Sequence, residues 1–279
     1  MRIIRRLATN RLAFLGAIAI LALLLMAVFA PWIAPFDPDR INASDRFAPP
    51  LTGKYLFGAD ELGRDVLSRI IFGWRASLNI AAMSILGATL LGASAGIVSA
   101  YFGGWVDAIL MRVTDVLFAI PTMLIALSVV GLFGRSEGNL IFALALGFAP
   151  SFSRICYSAV LGVRELPFVE AARAMGASSW RILGQDILPN IMPLLMVQIT
   201  IHFSRAMLAE AGLGFLGLGV MPPTPSWGQM ISTARQFFMH SGTLALFPGV
   251  ALLVAVMAFN LFGDGLRDLL DPRAWQTGD

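Results

Sequence analysis

A chain of 279 residues that is 57% hydrophobic and only 13% charged lacks the polar surface of a soluble fold, in which about a quarter of residues are charged. Its net charge of +3 comes from arginines scattered at segment ends, with no basic block or interleaved aromatics, which excludes a nucleic-acid footprint. A mean hydropathy of +0.77 and 27 glycines point to an integral membrane protein built of closely packed helices.

The chain opens with Arg2, Arg5, Arg6 and Arg11, then carries no charge from Leu12 to Phe36. That run exceeds the apolar core of a cleaved signal and lacks a small-residue cleavage site, so it reads as a first span. The four arginines set its start in the cytoplasm. A polar stretch from Asp37 to Arg75 follows, with six acidic and six basic side chains. Its prolines and glycines predict loop and short elements. Mostly apolar windows of about 20 residues predict further spans over Ala76–Val106, Val113–Phe133, Asn139–Ala159, Pro193–Leu216 and Leu244–Phe262. Pro121 is expected to kink the third. Asp107, Arg112 and Asp115 flank the start of that span, and Arg112 and Asp115 have the spacing of an i,i+3 pair. The prolines of Met221–Trp227 require an extended segment. Six spans with the first start inside bring both termini and the Arg164–Asp186 stretch to the cytoplasm.

That polar stretch predicts two short helices. Alanines dominate Phe168–Met175, with Glu170 near its start where the helix dipole favours it. Gly176 suits a left-handed C-cap. Ser178 or Ser179 would cap a second helix over Trp180–Leu188. The small residues Ala171, Ala172 and Ala174 leave one face shallow, fit for a groove in a partner protein; an ordinary inter-span loop is the alternative.

His202, Arg205 and Glu210 fall inside the fifth span. An ionisable group at the centre of a membrane helix costs at least about 2.5 kcal/mol on insertion scales, so it faces protein or water. Residues 202 and 205 share a helix face, and 210 lies about 140° from 205. The three are candidates for lining a translocation path, with pairing between helices as the alternative. Cys156, the one cysteine, reads as a packing thiol. No metal cluster is expected, since His202 and His240 stand on different segments. Lys54 is the one lysine, but Ala48 and Tyr55 occupy positions where a phosphate loop needs glycine and a hydroxyl. Neither a catalytic site nor an ATP site is expected.

Glu170-Ala171-Ala172, Gly176 and Ile187-Leu188-Pro189 resemble the EAA loop of bacterial ABC importer permeases. Asp186 departs from the common pattern towards the peptide and nickel branch. Leu56–Arg69 resembles the LGTDxxGRDxxSR signature of C-type dipeptide and oligopeptide permeases. Gly214–Gly219 with Trp227-Gly228, and Asn260–Asp268 with Asp271-Pro272, resemble other segments of that branch. The resemblance implies an all-α type I importer transmembrane domain of six helices in the bacterial inner membrane. It divides into an arm, first helix and outer segment (1–72), a five-helix core (73–268) and a tail (269–279). It also implies a second permease, two ATPase subunits that bind ATP and magnesium, and an extracytoplasmic binding protein. The implied cargo is a di- or oligopeptide; nickel or another metal chelate, glutathione or another small solute are alternatives. A proton-coupled secondary carrier using Arg205 and Glu210 is the alternative from a different class.

Overall fold

The computed structural model describes residues 11–270; Arg2, Arg5, Arg6 and the Asp271-Pro272 motif lie outside the described residues. Asp37 follows a first helix, α1 (Arg11–Val28), and the short α2 (Ala30–Ile33), which breaks the expected single run. Helices α3 (Val66–Phe102), α4 (Gly104–Phe118), α5 (Thr122–Phe133) and α6 (Glu137–Val163) follow. After them come α7 (Pro167–Ala174), α8 (Ser179–Arg181), a π-helical segment (Ile182–Ile187), α9 (Leu188–Phe215), α10 (Trp227–Gln236) and α11 (Thr243–Leu270). By length and composition five helical runs can cross a membrane: α1, α3, α6, α8 to α9 together, and α11. The pair α4 and α5 makes a sixth, bent by 87°.

That bend corrects the expected Val113–Phe133 span. A proline disfavours helical backbone at the residue before it. Pro121 itself is extended, with ψ of 132°, and its carbonyl accepts the amides of Leu124 and Ile125 to restart the helix. The second span also starts earlier than expected, at Val66. The reason is local: one Asp65 carboxylate oxygen accepts the Ser68 amide at 2.8 Å and its hydroxyl at 2.6 Å, an N-cap. The Ser68 hydroxyl in turn accepts the Phe36 amide.

The Asp60–Arg69 segment ties the polar stretch into a knot. Asp60 accepts the amides of Leu62 and Arg64 and the Arg64 guanidinium. Arg69, almost fully buried, donates to the Pro38 carbonyl at 3.0 Å. Gly63 has φ of +75°, and a Cβ there would strike the Asn42 carbonyl. At the exposed rim, hydrogen bonds from Lys54 and the Tyr55 hydroxyl hold the Asp45 carboxyl below its ordinary pKa.

The most extensive packing joins α3 to α6. Gly92 and Gly96 lie one turn apart on α3, and a Cβ at either would come within 2.1 Å of a carbonyl oxygen of Ala149 or Ser153. Backbone thus lies on backbone, the contact that small residues permit between membrane helices. Gly16 and Gly265 allow the same approach between α1 and α11. At the far end Trp74 and Trp227 are fully buried and stacked, with centroids 5.0 Å apart. Their indole N–H groups donate to the Leu23 and Ile70 carbonyls, so the rings' polar edges are satisfied.

Gly96→Leu should therefore open the α3–α6 contact. Overpacking costs about 1–3 kcal/mol, read as a lowered melting temperature in detergent. Gly162→Ala, where a Cβ meets nothing within 4 Å, should leave that temperature unchanged. Equal behaviour of the two variants would contradict the packing account.

Candidate coupling element and charged path residues

Pro167 opens α7 in its first turn, where a missing N–H costs nothing. The helix ends in a Schellman motif. Gly176 has φ of +78°, its amide donates to the Arg173 carbonyl, and the Ala177 amide donates to the Ala172 carbonyl. Ser178 follows as the N-cap of α8 but its hydroxyl makes no capping bond. The expected separate helix over Trp180–Leu188 is instead continuous with α9 through the π segment. Pro189 removes a donor and crowds the carbonyl four residues back; the wider π turn, with the Leu188 amide reaching Leu183, accommodates it.

A small core holds this element rigidly. Val169 from α7 and Ile182, Leu183 and Ile187 from the π segment pack with Ala100 of α3, Val160 of α6 and Ile191 of α9. Ile187 is thus an anchor, with Leu188 and Ala172 half-buried beside it. Glu170, Ala171, Gly176 and Pro189 face outward. The signal that sequence reading missed is the apolar company they keep: Phe168 (43% exposed), Met175 (81%) and Trp180 (72%) project from the same element. Phe168 and Met175 are seven residues apart with Ala171 between them, a helical stripe that could have been found. Trp180 rests edge-on against Phe102, and Arg173 lies over the Tyr101 ring.

The three ionisable residues of α9 do not share one wall. His202 is buried, its ring against Phe148 and Phe152. Glu210 is fully buried and accepts a hydrogen bond from Ser77 of α3 at 3.0 Å. Arg205 alone is exposed. The expected Arg112–Asp115 pair is also corrected, because Asp115 pairs instead with Arg154 of α6 at 2.6 Å. The α4–α6 packing brings those two side chains together across the chain. Further along the same contact Asp107 accepts from Ser99 and Tyr157. Cys156 is buried.

An apolar helical bundle with a short, rigidly backed helix exposed on a connection between spans is consistent with a transport permease. The chain matches the model of the binding-protein-dependent transport system inner membrane component over residues 88–276. It belongs to that family. Residues 1–50 match the N-terminal transmembrane domain of oligopeptide transport permease C. The permease is 41% identical over 272 residues to the dipeptide transport system permease protein DppC of Haemophilus influenzae, covering 96% of this chain and 92% of that one. It is 39% identical over 269 residues to DppC of Alkalihalophilus pseudofirmus, covering 96% and 88%. The glutathione transport system permease protein GsiD of Pectobacterium atrosepticum is 37% identical over 269 residues, covering 96% and 89%. A solved inward-facing form of the MetNI methionine ABC transporter superposes with a TM-score of 0.60 at 20% identity, covering 72% of this chain and 96% of that one. The permease is an inner-membrane component of an ABC importer.

Gly176→Ala should strain the Schellman turn by about 1 kcal/mol, the penalty for a side chain in left-handed backbone. Hydrogen exchange at the 176 and 177 amides should then quicken about five-fold if it proceeds by local opening. An unchanged rate would remove the turn from the account.

Proposed function

We propose that this permease forms half of a peptide translocation path and is driven by ATPase subunits that grip α7. The observation that carries the reading is a docking face with a rigid backing. Phe168, Ala171, Met175 and Trp180 project from an element pinned to α3, α6 and α9 through Val169 and Ile187. An exposed apolar face of this kind marks an interaction site, and its backing would pass movement of a partner into the spans. Glu170 supplies the charge beside it.

Two ATPase subunits would hold ATP and magnesium. Lys54, the one lysine, lies in a turn bridged between Thr52 and Tyr55 and pairs with Asp45. A second permease would complete the path, and an extracytoplasmic binding protein would deliver cargo. Both termini and α7 would lie in the cytoplasm, supported by the arginines at the chain start. On this reading 1–72 is the arm, first helix and outer segment, 73–268 the translocating core and 269–279 the tail. Arg205 would be the member of the His202, Arg205 and Glu210 set that meets the path in this conformation. The cargo would be a dipeptide or a short oligopeptide, as the names of the DppC relatives suggest. Glutathione, itself a small peptide, is the second reading, favoured by the similarity to GsiD.

Met175→Asp changes an exposed side chain, so the spans should assemble normally. It should lower the amount of co-purifying ATPase at least ten-fold, about 1.4 kcal/mol of binding, with uptake falling in step. Wild-type retention of the ATPase would overturn docking through this face. Uptake that persisted without any ATPase would overturn the importer reading itself.

A further inference from the structure

One charged pair has a location that neither folding nor coupling explains. At 1.5 Å per residue, Arg154 stands about 14 Å from the Val163 end of α6 and about 26 Å from its Glu137 end. A hydrocarbon layer about 30 Å thick, placed anywhere along the 27-residue α6, takes in the Arg154 backbone. Yet its side chain is 50% exposed, and that of its partner Asp115 is 46% exposed. Lipid does not tolerate such a pair, so this face must meet water or protein.

The surroundings favour water. Arg154 shares one face of α6 with Ser151 and Ser158, whose side chains are half-buried and exposed. The same helical spacing on α11 carries Leu246, Val250, Leu253 and Met257, all about half exposed, a surface suited to lipid. Pro121 lies at the break between α4 and α5, beside which the Thr122 hydroxyl donates to the Gly147 carbonyl. Phe118 lies against the guanidinium, 5.3 Å from ring centroid to Cζ. A guanidinium carries five N–H donors. Among the described residues Arg154 uses its Nη2 on Asp115, and the Ser158 hydroxyl donates to the Arg154 carbonyl.

We infer that Arg154 is a specificity-determining residue of the translocation path, a station for the carboxylate of a peptide cargo. Asp115 holds the guanidinium in place and neutralises it when the path is empty. An arriving carboxylate takes up the free donors, in the bidentate geometry that arginine offers, while the ammonium end of the cargo faces Asp115. The inference rests on the proposed function, because it needs cargo to pass along this face.

The test uses the assembled transporter in proteoliposomes, with Cys156→Ser to remove the native thiol. Ser158→Cys, and Leu253→Cys as the lipid-face control, are exposed to the membrane-impermeant reagent methanethiosulfonate-ethylsulfonate. The expected result is labelling at 158 and none at 253, with labelling slowed at least about three-fold when alanyl-alanine and its binding protein drive turnover. Labelling at 158 in the isolated chain but not in the assembly would make this face a subunit contact and overturn the proposal. No labelling in either would assign it to lipid and overturn it equally. Arg154→Gln should raise the KM for alanyl-alanine uptake at least ten-fold. The exchanged pair Arg154→Asp with Asp115→Arg keeps the ion pair, so a purely structural role predicts restored uptake; that restoration would also overturn the proposal. Co-purification of the ATPase is read in the same preparations, and its loss in the otherwise unaltered Cys156→Ser protein would count against the proposed function and not against the wet face.

Discussion

The backbone contact between α3 and α6 at Gly92 and Gly96 is the constraint on which the other parts of this permease depend. In a bilayer, helices gain nothing by hiding apolar surface from lipid, so association rests on close packing and on polar contacts. Two carbonyls of α6 sit where side chains on α3 would otherwise be. The pair then acts as a single strut. At one end its residues Ala100 and Val160 form the floor of the small core under α7. Towards the other, Trp74 and Ser77 of α3 reach the α1 carbonyl of Leu23, the stacked Trp227 and the buried Glu210.

The same logic of solvent explains the polar residues. Most of those at membrane depth are satisfied within the chain. Asp107 is met by Ser99 and Tyr157, Thr114 by Ser153, Ser204 by Asn260. These contacts line the seams α3–α4, α4–α6 and α9–α11 and serve cohesion. Arg154, Asp115 and Arg205 are different because they face outward at a depth where lipid would penalise them. Burial therefore divides the ionisable residues into those that hold helices together and those available to a partner, water or cargo.

The polar knot and α7 occupy opposite ends of α3. The Asp60–Arg69 knot fixes the connection from α1 to α3 through Asp65, Ser68 and the buried Arg69. The α7 element is fixed by apolar contacts and by the turn at Gly176. In each, a small number of buried groups makes a polar segment rigid without a large core.

Much of the plan was legible along the chain. Hydropathy set the spans, since a helix that crosses lipid must be apolar over about 20 residues. The Glu170–Pro189 pattern located α7 and its turn at Gly176, since its glycine and proline have local backbone requirements. Helix starts and breaks were read less well. Val66 begins α3 because a short-range cap at Asp65 overrides the charge of the stretch, and Pro121 separates two helices where a kink was expected.

What the sequence by itself determined was class, span content and the local turns, because these follow from the solvent and from near neighbours. Tertiary structure alone decided which charges meet. Asp115 chose Arg154, 39 residues away, over Arg112 one turn back. Helix packing buried His202 and Glu210 while leaving Arg205 exposed. Such partnerships are set by how helices rotate against one another, and that rotation is fixed by contacts such as Gly92 on Ala149, which no reading of a single segment contains.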